Sequence, residues 1–559
     1  MLKTFFVTSP STPFQKRLQS PPAKSNFLAA ENGMVPLYLI LLILYGLCVM
    51  VDAGDKLAQN DKAPNQKLSV IDIRRASDAE RTLAATLQGL VNKTDAKVWI
   101  KGGGMQEILL NELKTEGYEL ERVATVWELV AAFRAKIKGC IVYDSGNRSI
   151  NAATALCGPF EGVAVHKSIL KRAKKEGLKV LYDVSDYDDP VKTYKTFKDR
   201  FAKGILAEQA PRKVWHLRDF IVQRNAFVFW DVAANVRTRF ARECAPEGLI
   251  YGWGKDERNW VRDISKGGAA GIPADWSTNL SALSHLKVEV PAPPKAKPLT
   301  KVQEGERIIA FVMSDGDNLQ WLGNTFATST KHWGSRHRGT FTMSWEMAPA
   351  LSEVAPRIQR QIYRSASSGR YVDELIAGPS GVGYAFHNYL PDRKAFAKKT
   401  AQVMKVSNLP VVTILNSGGN MTQARELLEH PNVLGAIYKD YAPYHKRRGE
   451  LHWHNGKPCL SYKYLLWEGM KGASPKEVAA AIKTLPASPA TDSNSFALVN
   501  VHAWSWDSIG GPMDAIKKTI DLLPSGTRFV TASQLLGLLR KHHSERGQKQ
   551  IPRSSSKQK

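Results

Sequence analysis

The sequence predicts an α/β protein. Its C-terminal half reads as a (β/α)8-like, TIM-type barrel, preceded by one or two small α/β domains. Three observations lead there. Eight β runs recur through residues 303–543, most of them followed by an amphipathic helix, and such a barrel typically takes about 250 residues. The stretch VPAPPKAKP at 290–298 sets that region off as a stiff linker would. Upstream, short β runs alternate with helical ones as in βαβ units. A seven-stranded or open α/β sheet is the main rival.

The elements follow in order. Residues 34–51, MVPLYLILLILYGLCVMV, are nearly all apolar, with basic residues before them. Residues 1–54 therefore read as an N-terminal extension with an export signal, and VDA before Gly54 offers a small-residue cleavage site. An uncleaved membrane anchor is the alternative, and Met34 is a second possible start. From Lys67 the runs SVIDI, KVWIK, GCIVYD, GVAVH and KVLYD alternate with helices, and Ser77 to Glu80 forms a capping box. This gives a small α/β domain over 67–200. Residues 201–290, with FVFWDV and YGWGKDERNW, form a second small domain. Residues 544–559 read as a basic, disordered tail.

The 559 residues carry a net charge of +26 and 43% hydrophobic content. Lys3, Lys16, Arg17 and Lys24 against Glu31 leave residues 1–33 at +3. Seven basic residues against Glu545 leave residues 540–559 at +6. The remainder is spread without a nucleic-acid signature, so no nucleic-acid partner is expected. Five cysteines are too few for a disulfide framework. One bridge among Cys140, Cys157, Cys244 and Cys459 stays open.

The barrel runs are RIIAFVM, GTFTMS, ELIAG, PVVTIL, LGAIY, KPCLSY, FALVNV and TRFVTA. Polar residues follow seven of them. Asp315, Asp317 and Asn318 come first, then Trp345 and Glu346, then Ser380 and Tyr384. Asn416 and Ser417 follow, then Lys439 and Asp440, then Lys463 and Glu468, then His502 and Trp504. In a barrel these gather on the C-terminal rim, where active sites are built. One acid at a strand end is a turn; polar groups at seven are a site. Carboxylates, Asn, Tyr and His hydrogen-bond hydroxyls, and Trp stacks on sugar rings. Glycoside cleavage needs paired carboxylates, and Asp315, Asp317, Glu346, Asp440 and Glu468 are the candidates. Asn318, Trp345, Ser380, Gly381, Gly383, Tyr384, Asn416, Lys463, His502 and Trp504 are the expected substrate contacts.

Several motifs are set aside. GPSGVG is neither GxGxxG nor GxSxG, so neither phosphate binding nor a serine elbow is expected. His445, His452, His454 and Cys459 match no zinc spacing. DYDDP at 186–190 reads as an acidic turn rather than a calcium loop. No metal or other cofactor is expected.

SDGDN, GPSGVGY and VNVHAWSW, with DWSTNLSALS and LAATLQGLVN, resemble the GxGYxYP family over about residues 67–540. The motif falls on Gly381, Gly383 and Tyr384, with Phe386 in place of its second Tyr and His387 in place of its Pro. The resemblance implies a secreted, sugar-processing glycoside hydrolase with small N-terminal domains and a barrel-like catalytic region. The expectation is an exported glycoside hydrolase, periplasmic or secreted, that meets the membrane only through its signal. A metal-dependent carbohydrate deacetylase, with Asp315, Asp317 and His502 on the metal, is one rival. A glycan-binding protein without catalysis is the other.

Overall fold

The computed structural model describes residues 66–244, 248–441, 444 and 446–548. Residues 34–51, read above as an export signal, and residues 549–559 lie outside them. The capping box forms as read: Glu80 N–H donates to Ser77 Oγ at 3.3 Å and Glu80 accepts from Ser77 N–H at 3.1 Å. Leu83, Leu87, Leu90 and Val91 of that helix, Asp78–Val91, are buried.

Three small parallel sheets precede the linker. The first holds β1 (Lys67–Ile71), β2 (Val98–Ile100) and β3 (Glu119–Val123), with β1 central. The second holds β4 (Gly139–Tyr143), β5 (Gly162–His166) and β6 (Val180–Asp183), with β4 central. The span read as one domain, 67–200, thus carries two separate sheets. The third holds β7 (Ile205–Glu208), β8 (Phe227–Phe229), β9 (Leu249–Gly252) and β10 (Ala270–Ile272), ordered β10-β9-β7-β8. The sequence reading passes over β3 because ELERV is mostly charged, and it lies on a sheet edge with most side chains exposed. Cys140, Cys157, Cys244 and Cys459 are buried free thiols, with no bridge among them.

Beyond the linker one large sheet curls on itself. Its strands are β11 (Arg307–Met313), β12 (Met343–Met347), β13 (Asp373–Ala377), β14 (Val411–Asn416), β15 (Gly435–Asp440), β16 (Leu451–His454), β17 (Lys457–Ser461), β18 (Tyr464–Leu466), β19 (Phe496–Val501) and β20 (Thr527–Phe529). The order is β16-β17-β15-β14-β13-β12-β11-β19-β18, with β20 on β11. All pairs are parallel except the β16–β17 hairpin. These pairings correct the eight-unit, TIM-type expectation. The sixth run is split: β17 pairs with β15 and β18 pairs with β19. Tyr462 and Lys463 make the crossing, donating to Tyr438 O at 3.2 Å and Leu498 O at 3.0 Å. The eighth run, β20, pairs only with the start of β11. The result is a mixed α/β fold whose main sheet is a curled half-barrel rather than a ring of equal units.

Strand alternation decides what lies inside the curl. Ile308, Ala310, Val312, Ile376, Val411, Ile437, Leu460, Phe496 and Leu498 form one apolar cluster with Leu535, Leu536, Leu538 and Leu539. Those leucines belong to the last helix, Ala532–Gln548, which closes the lower end and extends past residue 544. The opposite end, toward the C-termini of the strands, carries the polar residues. The 452–459 histidines and cysteine have a simple place: His452, His454 and Cys459 sit in the β16–β17 hairpin, whose turn is Asn455-Gly456 with φ of 49° and 67°.

The small domains are fastened to the curled sheet and to each other. Gly271 of β10 pairs main chain with Tyr384, at 2.9 and 2.6 Å. Gln88 donates to Asn279 Oδ1 at 2.7 Å and Asn92 to Ser281 Oγ at 3.1 Å. LAATLQGLVN and DWSTNLSALS therefore bind one another, which gives both segments a structural role.

Candidate active site

The SDGDN turn begins where β11 ends, and its geometry is set by glycine. Asp315 takes φ of +68°, a left-handed conformation that Asp tolerates better than most side chains. Gly316 lies so close to β12 that a Cβ would stand 1.5 Å from Glu346 O. A Cβ on Gly378 would meet Asp317 N at 3.1 Å. The first three strand ends are thus packed backbone to backbone. Asp315 N–H donates to Glu346 Oε2 at 3.0 Å, and Ser314 Oγ donates to Asp315 Oδ2.

Four carboxyls converge here. Glu346 is 3% exposed; Asp315, Asp317 and Glu257 are half-buried. Enclosure by protein pushes Asp317 well above the carboxylate range, and the nearby charges of Asp315, Glu346 and Glu257 add to it. Burial pushes Glu346 up to about 7, against the opposing field of Lys439. Burial likewise pushes Glu257 up to about 7, against the Tyr384 hydroxyl that donates to its Oε1 at 2.8 Å. Lys439 Nζ itself donates to Asn500 Oδ1 at 3.3 Å.

An aromatic wall borders the acids. His502 lies flat on Trp467, ring centroids 3.7 Å apart and planes 6° apart. Trp467 meets Tyr444 at 4.9 Å, and Tyr444 meets Tyr441 at 5.7 Å. Burial lowers His502 to about 4, with Asp315 opposing, so the ring is neutral. Its Nδ1 lies 2.8 Å from Ser505 Oγ. Tyr462 and Tyr444, both raised by burial, face Asp315 as well.

The other expected residues have different places. Trp345 points away from the mouth: it is buried, its Nε1 donates to Asp373 Oδ1 at 3.1 Å, and it packs on Trp333 and Phe326. Asn318 is buried at the start of the short helix Leu319–Gly323. Ser380 Oγ donates to Ala385 O at 2.7 Å and shapes the GPSGVGY loop. Gly381, at φ +97°, would drive a Cβ into Thr400; Gly383 lies against Ala270, Gly271 and Ile272 of the third domain. Asn416 braces loops, donating to Gln423 Oε1 at 2.8 Å and accepting from Asn388 N at 3.1 Å. Asp440 accepts from Gly418 N at 3.1 Å. Glu468 is exposed and accepts from Trp506 N at 2.8 Å and from Ser508 Oγ. Lys463 packs along Gly449 and faces Asp492. Trp504 packs edge-on against Trp321 at 4.7 Å. Among the described residues no three His, Cys, Asp or Glu side chains group as they would to hold a metal ion.

Sequence reading misses Glu257, Tyr444 and Tyr462. Glu257 lies in YGWGKDERNW after β9, and only the docking of the third domain brings it here. A signal was present: Asp256 and Glu257 follow a strand end, as Asp315 does.

Four models of one family match the chain in order. The GxGYxYP first, second and third N-terminal domains match residues 67–135, 137–205 and 203–285. The GxGYxYP putative glycoside hydrolase C-terminal domain matches 306–540. The chain is similar to the crystal structure of a putative hydrolase from Bacteroides thetaiotaomicron, at 28% identity and a TM-score of 0.78, over 86% of this chain and 95% of that one. Two structures of the peptidoglycan deacetylase PdaC from Bacillus subtilis align over 45% of this chain and 100% of theirs, at 14% identity and a TM-score of 0.26. No curated protein matches the chain. The family and the Bacteroides structure support a hydrolase role.

Proposed function

The chain belongs to the GxGYxYP family, and from that premise we propose that it is an exported glycoside hydrolase acting on an oligosaccharide or polysaccharide. One observation carries the reading. Glu346, Asp317 and Asp315 stand together at the open end of the curled sheet, where burial pushes Glu346 up to about 7 and Asp317 well above the usual carboxylate range. Hydrolysis of a glycosidic bond needs a carboxylic acid to protonate the leaving oxygen and a carboxylate to serve as base or nucleophile. Carboxyls whose protons leave near pH 7 serve that exchange well. Tyr444, Trp467 and His502 offer flat faces and hydrogen-bonding edges to a sugar ring.

The test uses the full chain from Gly54 onward on a panel of polysaccharides, scored for new reducing ends and for released acetate. Reducing ends without acetate support the reading. Acetate alone would replace it with deacetylation, and retention without turnover would leave a glycan-binding protein. Export rests on the apolar segment 34–51. N-terminal sequencing of exported protein should find a start near Gly54, whereas an intact membrane-bound chain would mean anchoring.

A further inference from the structure

We propose that Glu257, supplied by the third small domain, is the general acid of this site, so that the catalytic centre is shared between that domain and the curled sheet. The inference rests on the glycoside hydrolase reading above.

Glu257 opens the helix Glu257–Lys266, just past the C-terminal end of β9. The GPSGVGY loop brings this helix to the mouth. Its Tyr384 pairs main chain with Gly271, and the N–H of Phe386, two residues on, donates to Ser265 Oγ at 3.0 Å. Trp253 and Trp260 pack beneath with their rings tilted by 47°, and Trp253 meets the Tyr384 ring at 6.3 Å. The Tyr384 hydroxyl donates to Oε1 and leaves Oε2 to carry a proton. The groups that face Glu257 are Tyr384, Asp315 and Asp317 at the mouth, Lys439 on β15, Tyr441 and Tyr444 beyond it, and Asp256 beside it. Against one cation stand three carboxyls, and the three phenols are neutral. Burial and the neighbouring carboxylates favour the protonated form, against Lys439 and the Tyr384 hydrogen bond. Glu346 stands on the opposite side, on the curled sheet, where it takes a main-chain N–H from Asp315.

The step balances. Glu257 gives its proton to the glycosidic oxygen as the C1–O bond breaks, and the bonding electron pair stays on that oxygen. Water forms the new C1–O bond, keeps one hydrogen and gives the other to a carboxylate of the cluster, and a proton returns to Glu257 from solvent as that carboxylate releases its own. One water is consumed per bond.

The plain alternative is that Glu257 only latches the third domain to Tyr384. Two substrates separate the readings: the natural glycan, and a dinitrophenyl glycoside of the same sugar, whose phenolate departs without a proton. Glu257→Gln keeps an oxygen for the Tyr384 hydroxyl, so the full chain should melt as wild type does. It should lose about 10²–10⁴-fold on the glycan, the scale of a missing general acid, and keep most of its rate on the aryl glycoside. Equal losses on both substrates, matched by Tyr384→Phe, would make Glu257 a latch. Full activity on the glycan while Glu346→Gln is inactive would sink the inference and leave the hydrolase reading standing. If wild type cleaves no glycan and no aryl glycoside, the hydrolase reading fails and takes the inference with it.

Discussion

Two acid clusters within this chain can be set side by side. In the third domain, Glu208 and Asp263 are buried, and Arg237 bonds both. Its guanidinium donates twice to Glu208 at 2.8 Å and once to Asp263 at 3.1 Å. At the mouth, Glu346, Asp317, Asp315 and Glu257 meet without a guanidinium, and Lys439 spends its hydrogen bond on Asn500. The first cluster is neutralised in place. The second is relieved by keeping protons. The same residue types therefore do opposite work. Charges in the first are paired off, whereas acids crowded without a matching cation are what a proton-trading site, as proposed above, would need.

The largest expected effect falls on the mouth. Glu346→Gln and Asp317→Asn should each lower the rate on a verified glycan by about 10²–10⁴-fold. Neither should lower the melting temperature. Rates at the wild-type level in both variants would reduce the mouth to a turn.

The opposite outcome belongs to Arg237. Arg237→Met keeps the bulk but leaves buried Glu208 without its cation, while Asp263 keeps Arg262 at 2.8 Å; breaking a buried pair costs about 3–5 kcal/mol. Activity per folded molecule should be unchanged, because the Arg237 cluster has no part in the mouth. Denaturation followed alongside the glycan assay checks both halves.

A third measurement sharpens the contrast through pH. The folded state holds the Glu346 proton up to about 7, whereas the free side chain releases it near 4.5. The folded chain therefore binds more protons between those values, and stability falls as pH rises through that window. Glu346→Gln removes the penalty. Its melting temperature should match wild type at pH 4 and exceed it at pH 8, with a gain of up to about 3 kcal/mol. A variant less stable than wild type at pH 8 would mean that the carboxylate is welcomed there, against this account.

What was legible in the sequence is what local chemistry fixes. The Asp-Gly spacing, the capping box at Ser77 and the polar strand ends all depend on neighbours a few residues away. Trp345 could have been placed correctly too. It directly precedes Glu346 in a strand, so if one side chain points into the curl the other points out. The Asn-Gly turn of the β16–β17 hairpin was also there to be read. The split of the sixth run was not, because it depends on which neighbours β17 and β18 find. Nor was Glu257, whose bond to Tyr384 spans 127 residues and exists only once the third domain has docked.

A smaller effect is expected at that junction. Tyr384→Phe keeps the ring packed and removes one hydrogen bond, worth about 1 kcal/mol. The lost donor favours the charged form of Glu257, so its loss should raise the Glu257 pKa further. If Glu257 is the acid, the alkaline limb of the rate profile moves up. A stability loss of several kcal/mol with an unmoved profile would make Tyr384 a packing residue alone.

The smallest effects should fall on two acids that sequence reading ranked with the catalytic ones. Asp440 and Glu468 also follow strands, and by position alone they resemble Asp315. Their partners differ. Asp440 Oδ1 receives Gly418 N–H at 3.1 Å and fixes the loop after β14. Glu468 receives Trp506 N–H at 2.8 Å and the Ser508 hydroxyl, an exposed clasp on the 506–508 turn. An amide oxygen accepts the same N–H bonds, so Glu468→Gln should cost about 0.5 kcal/mol or less, as ordinary surface changes do, and Asp440→Asn, at a buried position, about 1 kcal/mol. Turnover should stay within about twofold of wild type, since neither variant removes a proton from the mouth and a missing acid or base costs about 10²-fold or more. A hundredfold loss in either variant, with normal melting, would extend the reacting cluster to that strand end and blur the line drawn here between acids that brace loops and acids that hold protons.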